Sequence, residues 1–400
     1  MAKKLWGGRF KKEIDKDFFE FQKSIQYDYK LAGYDIAHSL IHALALGKTG
    51  ILKPKEKTKL IGALKKIGNE IKQNKFKYES GSEDIHTDIQ NKIEKKIGKL
   101  ALKLHTLRSR NDQVAFDEKF YCHVECKNVG NLLENLLKSI VILENKYKNV
   151  SVVGYTHTQR AQKINFKDYL CAFYCMFERD KKRLNNFLKN LEVHIGAGAL
   201  LRNIKKEDYG KAIKEYLKGS NAFIKPSENT IDDVSDRDFI IELLSILSII
   251  QMHLSRLSED FILYSTKEFG FMELPEEFCT GSSLMPHKKN PDFLELVRGY
   301  TGRIYGNLIS ILTTMKGLPL TYNRDMQLDK EPLFSSVEIV KDEIAIMSKF
   351  IKGVKLNELV VKEALKDKNL YSVDRAKELV LKGMPFRQAH DKIGKELRGK

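Results

Sequence analysis

The sequence predicts an all-α fold built around a central bundle of long helices. Apolar residues recur at intervals of three and four over long stretches, as at Val129, Leu133, Leu136 and Ile140. Only 8 prolines and 25 glycines occur in 400 residues, which is too few for an all-β chain with frequent turns. Alternating apolar and polar residues extend over no long segment. A bundle of long helices accounts for all three observations.

Five long helices are predicted in the middle of the chain. The segment 238–265 is apolar on most sides, and a helix of that kind is buried among other helices. At about 1.5 Å per residue it spans roughly 40 Å. The other four are predicted around 129–141 and over 166–191, 291–316 and 331–352.

The two ends of the chain carry shorter helical patterns. They are predicted over 29–46, 55–73, 356–365, 372–381 and 386–397. The change in helix length predicts three segments. These are an N-terminal helical domain (1–110), a central long-helix bundle (111–354) and a short C-terminal helical domain (355–400).

The net charge of +17 first suggests a nucleic-acid binder. Arginine, however, contributes only 15 of the 70 basic residues, and arginine is the residue that reads bases and grips phosphates. The lysines are scattered along helices rather than clustered with aromatic residues. We therefore expect solvated lysine-rich faces and no nucleic-acid partner, although a positive field also attracts anionic substrates.

The sequence predicts a soluble, cytoplasmic protein without a membrane partner. The N-terminal residues lack the apolar stretch of a signal peptide. The longest apolar segment, 239–250, is shorter than the roughly 20 residues that a membrane helix needs. The 5 cysteines have no zinc-ribbon spacing and are expected to be reduced thiols in the core.

Several polar segments interrupt the helical pattern. The clearest, TGSSLMPHKKNPD at 280–292, combines small residues, whose backbone N–H groups can face an anion, with two lysines. The segment HTLRSRNDQ at 105–113 supplies arginines for carboxylates, and GYTHTQRAQ at 154–162 supplies His157, a natural acid or base at neutral pH. Further polar segments are EDIHT at 83–87 and YNRDMQLDK at 322–330. None of these segments has the spacing of a metal site, a P-loop, a dinucleotide fold or a nucleophile elbow, so we expect no metal and no cofactor.

Taken in order, these motifs resemble one enzyme family. GSSLMPHKKN is similar to the signature loop of the aspartase/fumarase superfamily, and within it the chain resembles the argininosuccinate lyases. WGGRF at 6–10, SIQYD at 24–28, PSENTIDDVSDRDF at 226–239 and YNRDMQLDKEP at 322–332 also match patterns of that family. The resemblance implies a fumarase/aspartase-like fold with a shortened C-terminal domain. It also implies a homotetramer whose central bundle serves oligomerisation and whose sites are shared between chains.

The resemblance implies a cofactor-free elimination that splits argininosuccinate into arginine and fumarate, the last step of arginine biosynthesis. The matching catalytic positions are His157, Ser282, Lys288 and Glu295. The matching substrate contacts are Ser24, Asp28, His86, Thr87, Arg110, Asn111, Thr156, Arg237, Asn290, Tyr322, Gln327 and Lys330. His157 and Ser282 form the acid/base pair, and which of them is the base stays open, with a weak preference for His157.

A few residues depart from the family pattern. Leu107 stands where the family usually has glycine, His287 replaces a common glutamine, and Leu328 replaces a common acid. These changes and the short C-terminus leave a catalytically weakened or non-catalytic structural descendant as the alternative. Another lyase of the superfamily is a nearer alternative, disfavoured by WGGRF and SRNDQ.

Overall fold

The computed structural model describes residues 11–218 and 223–398, most of which are helical. The WGGRF motif at 6–10 lies outside them. The helices are α1 (Lys16–Gln22), α2 (Ile25–Asp28), α3 (Ala32–Lys48), α4 (Pro54–Lys72), α5 (Ile85–Ile97), α6 (Arg110–Lys146), α7 (Phe166–Asn190), α8 (Lys206–Tyr216), α9 (Thr230–Ser235), α10 (Asp238–Ser265), α11 (Asp292–Met315), α12 (Lys330–Gly353), α13 (Glu358–Ala364), α14 (Ser372–Leu381) and α15 (Phe386–Arg398). Short 3₁₀ helices cover Tyr29–Leu31, Gly98–His105, Glu276–Phe278, Arg324–Asp329 and Lys368–Tyr371.

The five long helices confirm the predicted bundle elements. The observed bounds of α10 equal the predicted range, those of α11 and α12 differ from the prediction by one residue at each end, and α7 differs by one residue at its C-terminal end only. α6 begins well before the predicted 129–141 pattern and runs for 37 residues. The prediction found only its most periodic part, because polar residues occupy many positions of its first half.

Helix α10 is long and apolar enough to cross a membrane by length and composition alone. About 61% of its most apolar window is buried inside the protein. Leu243, Leu247, Ile250 and Leu254 are all fully buried. This burial is that of a core helix, as the sequence predicted.

The described strands are short and pair in three two-stranded sheets. β1 (Ser151–Thr156) and β2 (Gln159–Asn165) form an antiparallel hairpin, β3 (Val193–Ile195) and β4 (Ile224–Pro226) are parallel, and β5 (Met272–Glu273) and β6 (Lys355–Leu356) are antiparallel. The sequence did not reveal the hairpin, because β2 is exposed along nearly its whole length and shows no alternation.

The chain divides into two compact units. Unit 1 contains Met1–Asn128, Leu184–Ser245 and Gly306–Val337, and unit 2 contains Val129–Arg183, Ile246–Tyr305 and Glu338–Lys400. The three segments predicted from the sequence follow other boundaries and stay a prediction. The cysteines are free thiols, and the expectation of core positions holds for Cys122 and Cys126 but is wrong for Cys171 and Cys175, which are exposed on α7.

Candidate active site

A cavity of about 290 Å³ in unit 1 gathers most of the predicted substrate contacts. Nine of the twelve line it: Ser24, Asp28, His86, Thr87, Arg110, Asn111, Tyr322, Gln327 and Lys330. The lining also includes Glu83, Asp84, His105, Val114 and Arg324, which the prediction omitted. All of these except Val114 belong to polar segments that the sequence had singled out. Their position in those segments could therefore have identified them as cavity residues.

The acidic side of this cavity is built around Asp28. The Ser24 hydroxyl donates to Asp28 Oδ2 at 2.6 Å, and the backbone N–H of Ile85 donates to Oδ1 at 3.1 Å. Burial, with a smaller effect from nearby Asp84, raises the pKa of Asp28 to about 7. An acceptor of this kind suits a cationic amino group, which would restore the ionised carboxylate.

The first turn of α5 forms another wall. Asp84 caps the helix by accepting from the backbone N–H of Thr87 at 2.7 Å, and Asp84, His86 and Thr87 line the cavity at this end of the helix. Arg110, the first residue of α6, lies 3.2 Å from Asp84 Oδ2 and donates to the Thr87 hydroxyl at 3.1 Å. These contacts fix a guanidinium beside the helix N-terminus, where a carboxylate would bind.

Lys330 supplies a buried cation to the same cavity. Its ammonium lies 2.8 Å from Glu118 Oε1 and 2.9 Å from Asp329 Oδ1. Burial lowers the pKa of Lys330, but the two carboxylates outweigh that effect and the pKa lies above its usual value. Arg237 is 1% exposed and pairs with the same two acids, so it completes a balanced group of four charges rather than lining the cavity.

His86 is held by carboxylates from two other helices. Its Nδ1 lies 3.0 Å from Asp35 Oδ1 and 3.5 Å from Asp117 Oδ2. Among the described residues this is the one group whose donor atoms lie close enough for a metal ion. Because Asp35 Oδ1 also accepts from the Gln113 side chain and lies within hydrogen-bond distance of the His86 ring, we assign a hydrogen-bonded network rather than a metal centre.

Unit 2 carries Thr156 and His157 on the β1–β2 hairpin. Thr156 pairs with Gln159, so His157 and Thr158 form the two-residue turn. Their φ angles are 54° and 57°, a left-handed conformation that normally selects Asn-Gly. A histidine and a β-branched threonine held there are strained, and such strain concentrates at functional sites. Both side chains are exposed.

The signature loop of unit 2 carries Ser282, Lys288 and Asn290. Backbone hydrogen bonds between Thr280 and Asn290, at 3.2 and 2.7 Å, close its base. The Ser282 hydroxyl oxygen accepts from the backbone N–H groups of Leu284 at 3.2 Å and Met285 at 3.0 Å. Lys288 is exposed, and so is Glu295 in the first turn of α11. The backbone N–H groups of Leu284 and Met285 would stabilise negative charge on the Ser282 oxygen.

Comparisons with known proteins agree on one family. A lyase family model matches residues 8–306. The chain is 42% identical over 405 residues to the argininosuccinate lyase of Carboxydothermus hydrogenoformans, covering 98% of this chain and 88% of that protein. It is 46% identical over 392 residues to the argininosuccinate lyase of Clostridium botulinum strain Okra, with the same coverage. These relatives give no support to the non-catalytic alternative.

Solved structures show the same fold. The class II fumarase of Schistosoma mansoni superposes with a TM-score of 0.77 at 17% identity, covering 94% of this chain and 91% of that chain. An EDDS lyase in complex with formate gives a TM-score of 0.78 at 21% identity, covering 94% and 73%. At such identities the likeness concerns the fold, and the fumarase/aspartase-like architecture predicted from the sequence is confirmed.

Proposed function

The chain belongs to the argininosuccinate lyase family, and we propose on that premise that it splits argininosuccinate into L-arginine and fumarate. The reaction is a carbon–nitrogen elimination and belongs to arginine biosynthesis. The observation that carries the proposal is the unit 1 cavity, in which nine side chains inferred from family motifs line one space. Its cationic and acidic walls suit a substrate that combines carboxylates with an amino group and a guanidinium.

The binding roles follow from the charges. Arg110, Lys330 and the N-terminus of α5 with His86 and Thr87 provide the positive wall for carboxylates. Ser24 and Asp28 provide the negative wall for the amino group of the arginine portion. Asn111, Tyr322 and Gln327 add neutral hydrogen-bonding groups beside these walls.

The elimination needs a base, an acid and stabilisation of a dianion. A proton leaves the carbon next to a carboxylate, the charge spreads into that carboxylate, and the C–N bond to the guanidinium then breaks. Lys288, Asn290 and the loop N–H groups are the proposed stabilisers of that charge. Glu295 is the proposed hydrogen-bond partner that raises the basicity of His157.

His157 and Ser282 are the proposed proton-transfer pair. A free serine is a weak base, which favours His157 as acceptor. The two backbone N–H groups that donate to Ser282 would stabilise an alkoxide and so support the opposite assignment. Exchange of the abstracted proton with solvent separates the roles, because only the variant that lacks the base loses the exchange.

A homotetramer in the cytoplasm is the remaining part of the proposal. On α11, Leu296 is 58% exposed and Ile309 is 59% exposed, and exposed apolar side chains of this kind are covered when a chain self-associates. Gly299, Gly302 and Gly306 leave open space along the same helix and permit close helix packing. Sedimentation analysis tests the oligomer, and a monomeric species would contradict it. The burial of α10 agrees with the cytoplasmic location only in that it identifies α10 as a core helix.

The test of function is fumarate release from argininosuccinate, followed by ultraviolet absorbance. We expect release by the wild-type protein and a rate lower by about 10²–10⁴-fold in Ser282→Ala, with adenylosuccinate and aspartate as comparison substrates. A folded, tetrameric sample that releases no fumarate from argininosuccinate would overturn the proposal. Release from adenylosuccinate or aspartate alone would assign another lyase activity.

A further inference from the structure

The ring of His86 is oriented by a residue outside the cavity lining. His86 is 3% exposed and Asp35, on α3, is 1% exposed, so their contact is shielded from water. Asp35 Oδ1 lies 3.0 Å from His86 Nδ1 and also accepts from the side-chain N–H of Gln113 at 2.7 Å. The Gln113 side chain and the His86 ring thus both contact one carboxylate oxygen, which fixes the position of that oxygen.

The second nearby carboxylate is different. Asp117 is fully buried, and among the described residues neither of its oxygens has a hydrogen-bond partner. Burial, followed by the charge of Asp35, raises the pKa of Asp117 well above its usual value. Burial therefore disfavours a negative charge on Asp117, whereas Asp35 accepts the Gln113 hydrogen bond and lies closer to the His86 ring, so Asp35 is the partner that the geometry favours.

We propose that Asp35 is a positioning residue for substrate binding, because it holds the Nδ1 hydrogen of His86 and thereby presents Nε2 to the substrate. The proposal rests on the proposed function, in which His86 meets a carboxylate of argininosuccinate. A carboxylate on Nε2 requires a hydrogen there, so the ring that binds it is an imidazolium. Asp35 supplies the counter-charge on the opposite nitrogen, as carboxylates do for metal-bound histidines.

The first test is the position of one hydrogen in the wild-type tetramer, read by neutron diffraction of deuterated crystals. We expect deuterium on Nδ1 of His86, between the ring and Asp35, without any ligand. With fumarate bound we expect deuterium on both ring nitrogens. A ligand-free ring that carries deuterium on Nε2 alone would overturn the proposal, whatever the activity of the protein.

The second test is a set of variants. In Asp35→Ala we expect deuterium to leave Nδ1 and kcat/KM and fumarate affinity to fall by roughly tenfold or more, since a hydrogen bond to a charged group is lost. Asp35→Asn keeps an acceptor oxygen, so we expect it to restore the Nδ1 hydrogen but not the full fumarate affinity. Wild-type kcat/KM and fumarate affinity in a folded Asp35→Ala protein would overturn the proposal.

Matched controls separate positioning from general damage. Asp88→Ala removes another fully buried carboxylate from α5, one that accepts from Ser82 and the Glu79 N–H, and it should leave the hydrogen on Nδ1. Asp117→Ala removes the second carboxylate near His86 and should also leave the hydrogen on Nδ1 of His86. Loss of the Nδ1 hydrogen in either control would overturn the special role of Asp35. If the wild type releases no fumarate, the proposed function fails, while the neutron result still decides the Asp35–His86 contact.

Discussion

The two units support their functional side chains in opposite ways. In unit 1, Lys330, His86 and Asp28 are buried, and each contacts other buried groups that fix its position. In unit 2, His157 and Lys288 are exposed on a hairpin turn and a loop. Under the proposed function, this difference means that the substrate-binding side chains are pre-organised within one chain, whereas the proposed proton-transfer residues lie outside the core, where other copies of the chain would complete a site.

The largest expected effect concerns the proposed proton-transfer pair, His157 and Ser282. His157→Asn or Ser282→Ala should lower kcat by about 10²–10⁴-fold, the usual contribution of an acid or base. Because both side chains lie outside the core, neither variant should lower the melting temperature, and His157→Asn should raise it slightly, since asparagine adopts the left-handed conformation of this turn more readily than histidine. Steady-state kinetics and thermal unfolding measure the two quantities. A variant that loses stability together with activity would remove the distinction between the units.

Replacing the buried cation of unit 1, Lys330, should strongly lower the free energy of unfolding. Lys330→Met leaves Glu118 and Asp329 facing Arg237 alone, and breaking a buried charge group costs about 3–5 kcal/mol. The matched control is Lys288→Met on the exposed loop, which should change stability by less than about 0.5 kcal/mol. Urea unfolding of both variants measures the contrast. Equal losses would mean that burial does not distinguish the two lysines.

A smaller effect is expected from the pH dependence of Asp28. Its pKa of about 7 in the folded protein lies above the ordinary value of 3.8, so the folded chain keeps a proton that the unfolded chain releases. The wild type therefore loses stability as pH rises from about 4 to about 7. Asp28→Asn removes that loss and should gain stability relative to the wild type as pH rises through this window.

Unfolding free energies at about pH 5 and about pH 8 test the Asp28 prediction. The gain of Asp28→Asn should appear at the higher pH and shrink at the lower one. The same variant should bind substrate poorly, because the ionised carboxylate is the proposed partner of the amino group. A pH-independent difference in stability would show that Asp28 titrates normally.

The sequence predicted the helices and the cavity residues better than the buried contacts that hold those residues in place. Long periodic helices and motif residues of the cavity were found, because apolar spacing and unusual polar segments are visible in the chain. The partners of those residues were not predicted. Asp35, Asp117 and Glu118 lie within helices, where an acidic residue usually indicates a solvent-exposed face. The strain at His157 and Thr158 also escaped prediction, because a left-handed turn made of these residues contradicts their ordinary preference.

The smallest expected effect lies at Leu107, beside the cavity segment of unit 1. This residue, which stands where the family usually has glycine, has a φ of 59° and is 44% exposed. The left-handed conformation costs a leucine about 1 kcal/mol, and the exposed side chain recovers little of that by packing. Leu107→Gly should therefore raise the free energy of unfolding by up to about 1 kcal/mol, as measured in urea. Leu107→Ala, which removes the side chain but keeps the strained Cβ, should give no such gain, and a gain of equal size in both variants would assign the effect to the side chain instead of the backbone.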